Sequence, residues 1–127
     1  MLERHQIEPE RLPGVVVAKW NAEVLSEGFI PFPKRLLRCL PKLFQGQHAL
    51  EHLAVILAVV DYKRPQLNRP PSAEYLAFIA GMETELFNRR IDELKAQGRV
   101  VVQGTDVAID VNLEPFIEEI MKATQDD

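Results

Sequence analysis

Residues 72–111 contain a change in the spacing of apolar side chains, from a helical period to a strand period, and this change constrains the fold most. Ser72 is a good N-cap for a short helix that ends near Gly81, and a second helix then runs to Gly98. Beyond it, apolar residues alternate on both sides of the turn sequence Gly104-Thr105-Asp106. The pattern therefore predicts two consecutive helices followed by a β-hairpin.

Further helices are predicted on both sides of this segment. After Pro33 a helix can form, and Pro41 is expected to end or kink it. Residues 47–62 are apolar nearly all round in their second half, which is typical of a helix at the centre of a core. A C-terminal helix is predicted over 114–123, with Pro115 in its first turn. The predicted fold class is α+β, mainly α.

The chain has 127 residues, which predicts one domain. We expect a flexible polar arm over 1–13 and a single domain over 14–127. At the start of this domain, Val15 to Val17 indicate a short strand.

The order helix, helix, glycine turn, helix and hairpin resembles a winged helix-turn-helix domain. Ser72-Ala73-Glu74-Tyr75-Leu76-Ala77 resembles the first helix of the motif, Ala80-Gly81-Met82 resembles its turn, and Gly98 to Val102 resembles the exit into the wing. The motif would cover 72–97 and the wing 99–111. Upstream, Phe29-Ile30-Pro31-Phe32-Pro33 and the apolar helix after it are similar to bacterial replication-associated winged-helix modules, namely plasmid initiators and DnaD-like proteins.

This resemblance implies a DNA-associated protein in replication or transcription regulation, with double-stranded DNA as its partner. The formal net charge of -4 hides a cationic middle, since residues 31–69 carry seven basic and two acidic side chains. These basic residues are the predicted phosphate contacts, unless they only form a solvated face: Lys34, Arg35, Arg38, Lys42, Lys63, Arg64 and Arg69. The resemblance adds Thr84, Asn88 and Arg89 as the residues nearest the bases, although Arg89 and Arg90 could instead pair with Glu85, Asp92 or Glu93 on their own helix.

An alternative function follows from two acidic residues. Glu83 and Glu85 lie where the recognition helix would approach phosphate, so this helix could instead dock a basic protein partner in a protein–protein interaction module without DNA binding. The apolar stripe of the C-terminal helix includes Phe116 and Ile120. It either packs on its own domain or pairs with a second copy, and we expect a homodimer.

The sequence contains no convincing match to a catalytic motif. The string from His48 to His52 fits H-x-x-E-H and resembles the inverzincin metallopeptidase signature, but the chain is small and offers no evident third ligand. We expect both histidines on the exposed first turns of a helix, and no metal, no cofactor and no enzyme activity. The longest apolar run, Leu53 to Val60, is far below the ~20 residues that cross a bilayer. The N-terminus lacks a secretory signal pattern, so we expect a cytoplasmic protein without membrane contact.

Overall fold

The computed structural model describes residues 4, 6–11, 13–63 and 69–125, and these residues are mainly helical with one antiparallel hairpin. The chain divides into two units, Met1–Pro31 and Phe32–Asp127. The elements of the second unit are α2 (Lys34–Leu43), α3 (Ala49–Tyr62), α4 (Ala73–Ala80), α5 (Thr84–Ala96), β1 (Val101–Thr105), β2 (Ala108–Asn112) and α6 (Glu114–Ala123). Together they confirm the predicted α+β, mainly α class. No helix in the described ranges is both long and apolar enough to span a membrane.

The first unit contains a short 3-10 helix, Pro9–Arg11, and α1 (Gly14–Trp20). The strand predicted at Val15 to Val17 is wrong, because these residues lie in α1. Branching at Cβ lowers helix propensity by only a few tenths of a kcal/mol per residue. A strand needs a partner for its backbone groups, whereas a helix satisfies them internally.

The core of the second unit lies between α3, α4 and α5. Its largest fully buried side chains are Val55, Ile56, Leu76, Phe87 and Leu94. They come from all three helices, which contact one another in pairs.

Local signals fix the ends of α4. The Ser72 hydroxyl accepts a hydrogen bond from the backbone N–H of Tyr75 at 3.0 Å, which caps the helix at its start. Gly81 has a left-handed conformation, φ 74°, and ends the helix. Helix α5 begins three residues later, so the two helices are joined by a tight turn.

The hairpin pairs Val102 with Val111 and Gly104 with Ile109. Its turn consists of Asp106 and Val107, so Gly104 belongs to β1 and not to the turn as predicted. A glycine is required at position 104 for two reasons. Its φ is +92°, and a Cβ at this position would lie 2.2 Å from the Ala108 carbonyl oxygen of the paired strand.

Helices α2 and α6 complete the second unit and contact each other. Helix α2 continues through Pro41 to Leu43, two residues beyond the predicted end. Phe116 of α6 is buried and meets the Phe44 ring edge-on, with ring centroids 5.7 Å apart. Arg99 lies over the same Phe44 ring at 5.1 Å and pairs with Glu119 of α6 at 3.3 Å. These contacts hold α6 against the end of α2.

Candidate functional site

The outer face of α2 carries a row of basic side chains. Lys34, Arg38 and Lys42 follow one another at four-residue intervals, so they lie along one side of the helix over about 12 Å. All three residues are exposed, while Leu36 and Cys39 on the opposite side are buried. No acidic residue occurs on α2. We call these three residues the α2 basic row.

Arg35, the fourth predicted phosphate contact on α2, is engaged within the unit. Its Nε donates to the Thr124 hydroxyl at 2.8 Å, and one terminal nitrogen donates to the Met121 carbonyl at 3.3 Å. Thr124 is buried and follows the last residue of α6. The guanidinium therefore satisfies acceptors at the end of α6, where a cation is also favoured by the helix dipole.

The second predicted basic cluster lies near the hairpin. Lys63 follows the end of α3, and its Nζ is 4.0 Å from the Asp110 carboxylate of β2. Arg69 is exposed, and its carbonyl accepts a hydrogen bond from the Tyr62 hydroxyl at 2.8 Å. Arg64 lies outside the described residues. The Lys63 side chain is thus paired with Asp110, whereas the contact of Arg69 with Tyr62 is made by its backbone carbonyl.

The beginning of α5 presents acid rather than base. Glu83 precedes the helix and Glu85 lies in its first turn, and both are exposed. Thr84 and Asn88 are half-buried, and Arg89 is exposed without an ion pair in the part of the chain that the structure describes. The hairpin adds no cation, because 101–112 contain two aspartates and neither lysine nor arginine.

A partly buried charge network joins α3 to α5, and sequence reasoning missed it. Arg90 is 8% exposed, and its Nε donates to Glu51 at 2.6 Å while a terminal nitrogen donates to Glu93 at 2.9 Å. His52, 6% exposed, places Nε2 2.7 Å from the other Glu93 oxygen. His48 lies 3.6 Å from Glu51. We call these five residues the Arg90 network.

The network shifts the titration of both carboxyl groups. The hydrogen bond from Arg90 is the largest cause that lowers the pKa of Glu51. For Glu93, the hydrogen bond with His52 is the largest cause that lowers the pKa, and the charge of Arg90 adds to it. Both groups are therefore stabilised as carboxylates.

The H-x-x-E-H string is used structurally in this network. The expectation that both histidines are exposed is wrong for His52, which is buried against α5. Glu51 is already paired with Arg90, so it is not placed to serve as a general base. An open cavity of about 480 Å³ lies beside it and is lined by residues 46–51 and Arg90. Among the side chains that the structure describes, no group of three or more histidine, cysteine, aspartate or glutamate residues could hold a metal ion.

One signal in the sequence could have identified the network. Arg90 occupies the same face of α5 as the buried residues Phe87, Ile91 and Leu94. An arginine on a buried face requires carboxylate partners. The Glu93 partner at i+3 confirms one of the pairs considered from the sequence, but Glu51 is 39 positions away.

The predicted interaction residues of α6 are placed mainly inward. Phe116 is 3% exposed, because it fills the core against Phe44, so its side chain is not offered to a second copy. Ile120 is half-buried against the same core. Ile117 and Met121, 50% and 46% exposed, are instead the apolar residues that α6 presents to solvent.

Comparison with known proteins gives no relative from which a function could be transferred: no family model, no curated protein and no solved structure matches the chain.

Proposed function

We propose that this protein associates with double-stranded DNA through phosphate contacts made by the α2 basic row. The observation that carries this proposal is the row itself, with three exposed cations on one side of a helix that has no acid. Its length of about 12 Å matches about three phosphates along one DNA strand.

The proposed fold is a winged helix-turn-helix domain. Helices α4 and α5 with the Gly81 turn stand in the order of the motif, and β1–β2 follow as the wing. Two backbone hydrogen bonds support this interpretation: Ile109 N–H donates to the Pro71 carbonyl and Ala73 N–H to the Asp106 carbonyl, both at 2.8 Å. They tie the hairpin to the start of α4. The resemblance to replication-associated modules makes bacterial replication or transcription regulation the proposed setting.

Fluorescence anisotropy with a mixed-sequence duplex of ~30 base pairs, at ~50 and ~200 mM salt, tests this function. Neutralising three phosphates gives a slope of about −2.7 for log K against log salt concentration, a loss of about 40-fold over this range. The K34Q/K42Q variant removes two contacts, so we expect a slope of about −0.9 and a loss of about 3-fold.

A matched control is available in K19Q/K95Q, which removes the same charge from exposed positions on α1 and α5. This variant should bind DNA as the unchanged chain does. The proposal is overturned by absence of binding at about 50 μM protein in low salt, where non-specific DNA-binding proteins still register. It is also overturned if K34Q/K42Q retains the full salt slope.

The alternative function, docking of a basic protein partner, is favoured by one observation. Glu83 and Glu85 stand exposed at the start of α5, and neither forms an ion pair among the described residues. If this function is correct, a basic protein that the unchanged chain captures from a lysate should not be captured by the E83K/E85K variant. Retention by both chains would exclude the start of α5 as the docking surface.

A further inference from the structure

We infer that the protein holds duplex DNA along its phosphate backbone without reading its sequence, and that the start of α5 stays outside the major groove. The inference rests on the proposed function, since it specifies how DNA lies on the α2 basic row. It departs from the expectation that Thr84, Asn88 and Arg89 lie next to the bases.

The start of α5 carries negative charge. A recognition helix places its N-terminal residues at the base edges, between the phosphates of both strands. Glu83 and Glu85 would both stand in that position. The Glu83 side chain makes no capping hydrogen bond to the helix, and no described cation pairs with either carboxylate. Both negative charges would therefore face phosphate uncompensated, which costs affinity.

Side chains that can read bases are scarce on the exposed surface of α5. Arginine reads guanine and asparagine reads adenine, each through paired hydrogen bonds. Arg89 is exposed, but Asn88 is half-buried and Asp92 adds a further exposed acid on α5. Between Glu83 and Asp92, one exposed cation thus stands among three exposed carboxylates. Phosphate is not strongly attracted to such a surface.

The hairpin also lacks cations that could hold phosphate. A wing that contacts DNA needs cations to hold phosphate. Asp106 at the turn and Asp110 on β2 are exposed, and the Lys63 Nζ already lies 4.0 Å from the Asp110 carboxylate. The start of α5 and the hairpin, which would have to contact DNA if the protein read bases, are therefore both acidic. The α2 basic row carries only positive charge.

The E83Q/E85Q variant tests the inference in the anisotropy assay described above. Both residues are exposed, so folding should be retained. If α5 lies outside the groove, we expect an affinity within about 2-fold of the unchanged chain and the same salt slope. If α5 enters the groove, two repulsive charges are removed and the slope steepens by up to about 1.8. The E10Q/E23Q variant removes two exposed acids from the first unit and serves as the matched control.

Selection from a random duplex library gives a second readout. We expect no enriched sequence, because backbone contacts carry no base information. The inference would be overturned by an enriched site that binds ~1,000-fold more tightly than a mixed sequence. It would also be overturned if E83Q/E85Q binds DNA more tightly than the unchanged chain while the E10Q/E23Q control does not. A different result marks failure of the proposed function: no binding by the unchanged chain, or an unaltered slope for K34Q/K42Q.

Discussion

Replacing Arg90 by methionine measures what the Arg90 network contributes to stability. Methionine has a similar length and keeps the apolar contacts of the side-chain stem, but it removes both charge-assisted hydrogen bonds, at 2.6 and 2.9 Å. A bond of this kind contributes about 1.5–3 kcal/mol, and breaking a fully buried ion pair costs about 3–5 kcal/mol. Here the Glu51 and Glu93 side chains are 41% and 38% exposed and can regain water. We therefore expect R90M to lower the free energy of unfolding by only about 2 kcal/mol.

Urea unfolding followed by circular dichroism provides the measurement. With an m-value of about 2 kcal/mol/M, the loss moves the midpoint down by about 1 M and leaves m unchanged. The R89M variant is the matched control, since Arg89 is exposed and forms no ion pair with a described residue. The free energy of unfolding of R89M should remain within about 0.5 kcal/mol of that of the unchanged chain.

A triple variant, R90M/E51Q/E93Q, separates charge from packing. If R90M is unstable because two carboxylates have lost their cation, neutralising them should recover at least half of the loss. The reasoning is refuted if R90M unfolds like the unchanged chain. A triple variant that is no more stable than R90M would instead assign the whole loss to the missing hydrogen bonds and to packing, with no part for uncompensated charge.

Elements with strong local signals could be predicted from the sequence. The C-terminal helix was predicted over 114–123 and is observed as Glu114–Ala123. Helix α4 begins after Ser72 and ends before Gly81, as the capping chemistry of these two residues indicates. These signals act over a few residues of chain, so a sequence pattern is sufficient to read them.

Features that depend on distant residues could not be predicted in the same way. Whether Arg35 faces solvent or the end of α6 depends on Thr124, which is 89 positions away. The sequence pattern places Lys34, Arg35 and Arg38 together as cations, and the hydrogen bonds of Arg35 to the end of α6 arise only from tertiary packing. His52 likewise looks like an exposed first-turn residue until α5 brings Glu93 against it. The composition of the candidate site was therefore easier to predict than the partners of its members.

Two further predictions concern acid and the hairpin. In the folded chain the pKa values of Glu51 and Glu93 are lowered from the ordinary value of 4.5. The two carboxylates therefore contribute to the free energy of unfolding above about pH 4.5, and this contribution is lost as the pH falls through their folded-state pKa values. Between pH ~5 and ~3 the free energy of unfolding should fall more steeply for the unchanged chain than for E51Q/E93Q, and equal slopes would contradict this. The last prediction compares G104A with G98A. Both glycines have positive φ, +92° and +74°, so alanine pays a conformational cost of about 1–2 kcal/mol at either position. Only at Gly104 would the new Cβ also meet backbone, 2.2 Å from the Ala108 oxygen, whereas nothing lies within 4 Å at Gly98. Because β1 and β2 must separate locally to relieve this contact, G104A should lose at least about 1 kcal/mol more than G98A in urea unfolding. Equal losses would show that the hairpin absorbs the extra atom without opening.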